Sequence, residues 1–130
     1  MTSAEYVNAV VGTPWVLAGN DWGAFDCWGL VEHSYRALDG VSLPPVEPRD
    51  DVQGAFSNVG WVQECDECEG AIFGVVDAEG NMHHVGRVLA GMHVHAHGSR
   101  NKTGQTRAST KRELLRFFRD NEIKYYKVTL

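Results

Sequence analysis

Residues 92–97 read Met-His-Val-His-Ala-His, a strict alternation with the period of a β-strand. Residues 83–90 form a second strand-like run, and Ala90-Gly91 stands between the two as a tight turn. The pair reads as a hairpin. With that turn, facing residues have numbers that sum to 181, so His97 falls opposite His84 and His95 lies diagonal to it on the same face. His93 shares that face nearer the turn. Five of the six histidines lie between 83 and 97, so one face of one hairpin gathers several imidazoles.

The other elements follow from caps and periods. Thr2 and Glu5 have capping-box spacing ahead of a helix that carries Val7, Val10 and Val11 and stops at Gly12. Asp26 is placed to cap a second helix. Its Cys27, Leu30, Val31, Ser34, Tyr35 and Leu38 share one face, and Asp39-Gly40 ends it. Residues 41–60 hold Pro44, Pro45 and Pro48 and read as irregular, with a short helix around Asp50 to Phe56. Ala71 to Val76 reads as a strand and Glu79-Gly80-Asn81 as a turn. Gly98 to Thr106 is polar and reads as a mobile loop. Thr110 and Glu113 repeat the capping-box spacing. They open a helix expected to turn Leu114, Phe117 and Phe118 inward and Lys111, Arg112, Arg116 and Arg119 outward. Ile123 to Leu130 closes the chain as a strand. This order predicts an α+β fold with helices packed on a central antiparallel sheet, formed by residues 1–130 as one domain.

Composition narrows the function classes. With 43% hydrophobic and 22% charged residues, the chain has the make-up of a globular protein rather than a disordered one. It has no apolar run near 18 residues, so no membrane span is expected. Met1 to Gly12 has neither a basic nor an apolar leader region, so no secretory signal is expected. Three cysteines, an odd count, argue against a disulfide framework. The net charge of −5 is unevenly spread: residues 1–98 hold three basic and fourteen acidic side chains, residues 99–130 nine and three. The basic end reads either as a solvated helix face or as a docking surface for an acidic partner. Nucleic-acid binding is not expected, because Phe117 and Phe118 are assigned to the core rather than interleaved with exposed cations.

Two features carry chemistry. A helix start lowers the pKa of a thiol, and its first-turn N–H groups can face an oxyanion, so Cys27 occupies a position suited to a nucleophile. The same residue lies on the apolar stripe, so it can equally point into the core. A catalytic cysteine needs a base and a group that orients the base. The hairpin offers His84 as the base; spacing alone leaves the orienting residue open.

These residues resemble a known family. Phe25-Asp26-Cys27-Trp28-Gly29-Leu30-Val31 is similar to the nucleophile motif of the NlpC family of papain-like cell-wall cysteine peptidases. His84-Val85-Gly86 and Val94-His95-Ala96 resemble its base and orienting motifs, in the family's chain order. Trp28 and the run Tyr35…Gly40…Leu43-Pro44 are similar to the branch found in phage tail-assembly and tail-tip proteins. The resemblance implies a papain-like fold with Cys27 as nucleophile, His84 as base and His95 as orienting residue. It places Trp15, Asp26 and Trp28 at the substrate. Trp15 stands where the family usually has a tyrosine, and an indole N–H donates but cannot accept. Trp28 replaces a small serine. The gap from His84 to His95 is one residue short, which leaves His97 as an alternative orienting residue. The implied reaction is hydrolysis of peptide-stem amides of bacterial peptidoglycan through an acyl-enzyme, with no metal or other cofactor. A tail component would be made in the host cytoplasm and carried in the virion tail with tail-tip partners.

Two other readings compete. Cys65-Asp66-Glu67-Cys68 has C-x-x-C spacing that, with hairpin histidines, suggests a structural zinc site. The domain is alternatively a tail-tip building block that keeps the residues without the reaction.

Overall fold

A computed structural model describes residues 1–44, 60–99 and 102–130. Helix α1 (Ser3–Val10) starts at the expected capping box: the Thr2 hydroxyl accepts the Glu5 N–H at 3.1 Å and the Glu5 carboxylate accepts the Thr2 N–H at 2.9 Å. It buries Tyr6, Val7 and Val10. Strands β1 (Asn20–Asp21) and β2 (Ala24–Phe25) form a small ribbon. Helix α2 (Cys27–Ser34) follows directly and runs on through a wider, π-type turn (Tyr35–Asp39) to Gly40, whose φ of 65° ends it in the left-handed conformation. The short helix expected around Asp50 to Phe56 lies outside the described residues.

The strands β3 (Val62–Cys65), β4 (Ile72–Val76), β5 (Met82–Leu89), β6 (Met92–Ser99), β7 (Lys102–Ser109) and β8 (Glu122–Val128) form one antiparallel sheet, ordered β3-β8-β4-β5-β6-β7. Helix α3 (Lys111–Phe117) links β7 to β8 and opens on the second capping box, Thr110 with Glu113. The architecture is therefore the expected α+β with a central antiparallel sheet. The β5–β6 hairpin keeps the expected register: Leu89 faces Met92, Val88 faces His93 and Arg87 faces Val94.

Strand alternation divides the sheet into two faces. On one, Ile72, Val76, Met82 and Val85 pack under Trp28, Val31 and Tyr35 of the α2 segment. Beside them Leu89, Val94 and Ala96 meet Leu30 and the α1 residues Tyr6 and Val10. On the other face, Phe73, Val75, Val88 and Tyr125 pack under Leu114 of α3. Arg87 belongs to the α2 face, where its guanidinium lies 3.6 Å from the Tyr35 ring centroid and pairs with Asp39 at 2.7 Å.

Two expectations are corrected. Gly98 to Thr106 is not a loop; it holds the end of β6 and most of β7, with Ala96 facing Thr106 and His97 facing Gln105. β7 ends the order of named strands and takes hydrogen bonds from residues 12–15 along its outer edge; its Gln105 and Arg107 are exposed on one face while Thr106 is fully buried on the other. Gly104 is required there, since a Cβ would collide with the His97 carbonyl oxygen. Phe117 does not face inward: it is 61% exposed at the end of α3, where Leu114 alone of that helix is buried.

Candidate active site

Cys27 is the first residue of α2 and is half-buried. The Asp26 carboxylate fixes this helix start. One oxygen accepts the Gly29 N–H at 2.6 Å and the other accepts the Ala18 N–H at 2.7 Å. The carbonyl oxygen of Gly19 accepts the Asp26 N–H at 3.0 Å and presses so close to α2 that a Cβ at Gly29 would collide with it. The loop before the cysteine thus wraps the helix N-terminus, where the macrodipole favours a thiolate.

The hairpin supplies the imidazoles. His84 is 7% exposed and shares a 2.9 Å hydrogen bond between its Nε2 and Nδ1 of His95, with the two rings nearly perpendicular. His95 is buried in turn, and its Nε2 meets the Ser109 hydroxyl at 3.1 Å. His97 packs its ring 5.5 Å from that of His84 without displacing His95 as the bonded neighbour. Phe118 stacks on His84 and Phe117 stands edge-on to His97. Burial holds His84 well below the ordinary histidine range, reinforced by its imidazole neighbours. Burial, then His97 and Arg107, push His95 down to about 3. His97 is lowered by burial and by Arg107. All three shifts favour the neutral ring.

Sequence-predicted site residues are distributed as follows. His84 and His95 are together, as their spacing implied. They point to the α3 face, as His97 does, since β5 sends Val85 and Arg87 the other way. Cys27 packs against the cluster of Trp28, Val31, Met82 and Val85 on the α2 face. Asp26 and Trp28 are enclosed, 4% and 1% exposed, and hold α2 in place rather than line a cleft. Trp15 is half-buried beside β2, where its ring covers Gly98 and its backbone N–H donates to the Gly104 carbonyl at 2.9 Å.

The α3 face also holds a cavity of ≈ 820 Å³, walled by His95, His97, Arg107, Ser109, Glu113 and Arg116 among others. Ser109 was not foreseen. Its contact with His95 depends on β7 pairing with β6, and a polar edge strand carries no apolar alternation to reveal it. The remaining histidines have structural partners: His83 with Asn121, His93 with Tyr125 and His33 with Tyr6. Cys65 is half-buried and Cys68 exposed, and burial raises the Cys65 thiol pKa. Among the described residues, no group of three or more His, Cys, Asp or Glu side chains is arranged to hold a metal ion.

The model of the NlpC/P60 family matches residues 12–119. No curated protein matches the chain. Among solved structures, the crystal structure of the NlpC/p60 domain of peptidoglycan hydrolase SagA has a similar fold, with a TM-score of 0.57 at 16% identity and 95% of each chain covered.

Proposed function

The chain belongs to the NlpC/P60 family, and from that membership we propose that it is a cysteine peptidase or amidase that hydrolyses peptide-stem amides of bacterial peptidoglycan. The observation that carries this reading is the buried His84–His95 pair, joined at 2.9 Å, in a chain whose family-matching cysteine opens a capped helix. Cys27 adds its sulfur to the amide carbonyl. The first turn of α2 offers N–H donors to the resulting oxyanion, apart from that of Gly29, which the Asp26 carboxylate holds. His84 takes the thiol proton and returns it to the leaving amine. Water then hydrolyses the acyl-enzyme. Burial favours the neutral form of His84, which suits a general base that takes the thiol proton. Peptidoglycan is the partner. The Trp28 and Tyr35…Gly40…Leu43-Pro44 features support a place among phage tail-tip proteins, carried in the virion tail.

One observation favours a second reading, a tail-tip building block that keeps the fold without the reaction. Cys27 and His84 stand on opposite faces of the sheet, and catalysis requires them to meet. Digestion of purified peptidoglycan, followed by mass spectrometry of released stem peptides, separates the two. The peptidase reading expects fragments from the wild type, none from Cys27→Ala, and a 10²–10⁴-fold lower kcat/KM for His84→Ala. Equal inertness of wild type and Cys27→Ala, with Cys27→Ala virions still assembling tails, establishes the structural reading instead.

A further inference from the structure

We propose that Ser109 is a positioning residue, whose hydroxyl accepts a hydrogen bond from His95 and thereby holds the lone pair of His84 on Nδ1. Four atoms stand in series: Ser109 Oγ lies 3.1 Å from His95 Nε2, and His95 Nδ1 lies 2.9 Å from His84 Nε2. A neutral imidazole has one N–H and one lone pair. Fixing the direction of one of these bonds therefore fixes the other.

Two arrangements satisfy the series. If the Ser109 hydroxyl donates, His95 carries its proton on Nδ1 and donates to His84 Nε2. His84 is then protonated on Nδ1 and cannot accept a proton there. If the hydroxyl accepts, His95 is protonated on Nε2, and its Nδ1 accepts from His84 Nε2–H. His84 Nδ1 then carries the lone pair that a base needs. The proposed role of His84 as base selects the second arrangement, the one that leaves a lone pair on its Nδ1. In that arrangement the serine oxygen is the acceptor of the His95 Nε2–H, 3.1 Å away. Ser109 lines the cavity together with Arg107, Glu113 and Arg116. Burial of both rings favours their neutral forms, in which the series is set by tautomers rather than by charge.

The choice of tautomers rests on the proposed role of His84 as base, and the spectra read them independently of activity. Two-bond ¹H–¹⁵N correlation spectra of histidine-labelled protein at pH 7 are compared for the wild type, Ser109→Ala and Ser109→Thr. The expected wild type shows His84 and His95 each protonated on Nε2. Ser109→Ala mixes the tautomers of both rings, and Ser109→Thr, which keeps the hydroxyl, restores them. In peptidoglycan hydrolysis Ser109→Ala lowers kcat about tenfold with KM unchanged. A wild-type His84 protonated on Nδ1, or Ser109→Ala spectra identical to wild type, overturns the proposal. A wild type that cuts nothing refutes the peptidase reading, while the spectra still decide what Ser109 does.

Discussion

At the scale of single residues, Asp26 does more than its sequence position alone implied. A capping role was legible from its place before Cys27, and the structure adds a second use: the same carboxylate gathers the Ala18 N–H from the preceding loop. Ala18 holds a φ of 63°, a conformation that costs an alanine energy, so the carboxylate helps to stabilise a strained turn against the helix start. Asp26→Ala is expected to lower unfolding stability by about 2–4 kcal/mol, the sum of a lost cap and a buried amide left without an acceptor. Asp26→Asn, which keeps one acceptor oxygen, is expected to fall between. Equilibrium urea unfolding checks both; an Asp26→Ala midpoint equal to wild type removes the role assigned to this side chain.

At the scale of elements, the β5–β6 hairpin was legible because its turn and its alternation agree. Ala90 and Gly91 have φ values of 53° and 74°, the left-handed pair of a tight hairpin turn, and Glu69 accepts both of their N–H groups. Such a turn favours asparagine at its first position. Ala90→Asn is therefore expected to stabilise the protein by about 1 kcal/mol and to raise the thermal midpoint by roughly 2–6 °C. A lowered midpoint in a calorimetric scan would falsify the turn assignment. Both capping boxes were legible for a similar reason: three residues of spacing specify two reciprocal bonds. β7 was not, since an edge strand of Lys, Thr, Gly, Gln and Arg has the composition of a loop and is recognised by its pairing with β6. That one omission hid the Ser109–His95 contact. It also obscured Phe117, which stands at the rim beside His97 rather than in the core. The short β3 has no distinctive period either, being half exposed along β8.

At the scale of the whole molecule, the buried imidazoles tie stability to pH. His33, His84, His93, His95 and His97 are all lowered, with burial as the leading cause in each. In the unfolded chain each titrates near 6.5. As pH falls below that value the unfolded chain takes up protons that the folded chain refuses, so the unfolded state gains. Their contribution is therefore fully present above about pH 6.5, and declines as pH falls towards the folded values, which for His95 is about 3. Each such histidine adds a slope of up to about 1.4 kcal/mol per pH unit across its window. The carboxylates of Glu5, Glu67 and Glu113 are also lowered, but hydrogen bonds cause this and their loss begins near pH 4.5. The interval between 6.5 and 4.5 thus reports the histidines. Urea midpoints measured across it are expected to drop steadily with acid, and His95→Asn to flatten the slope from a lower starting stability. A wild-type midpoint that stays level from pH 6.5 to 4.5 would mean that the rings are charged or hydrated in the fold. The same burial moves the acid limb of any His84-dependent kcat/KM profile below pH 6.5, so hydrolysis should persist into mildly acidic conditions until the fold itself gives way.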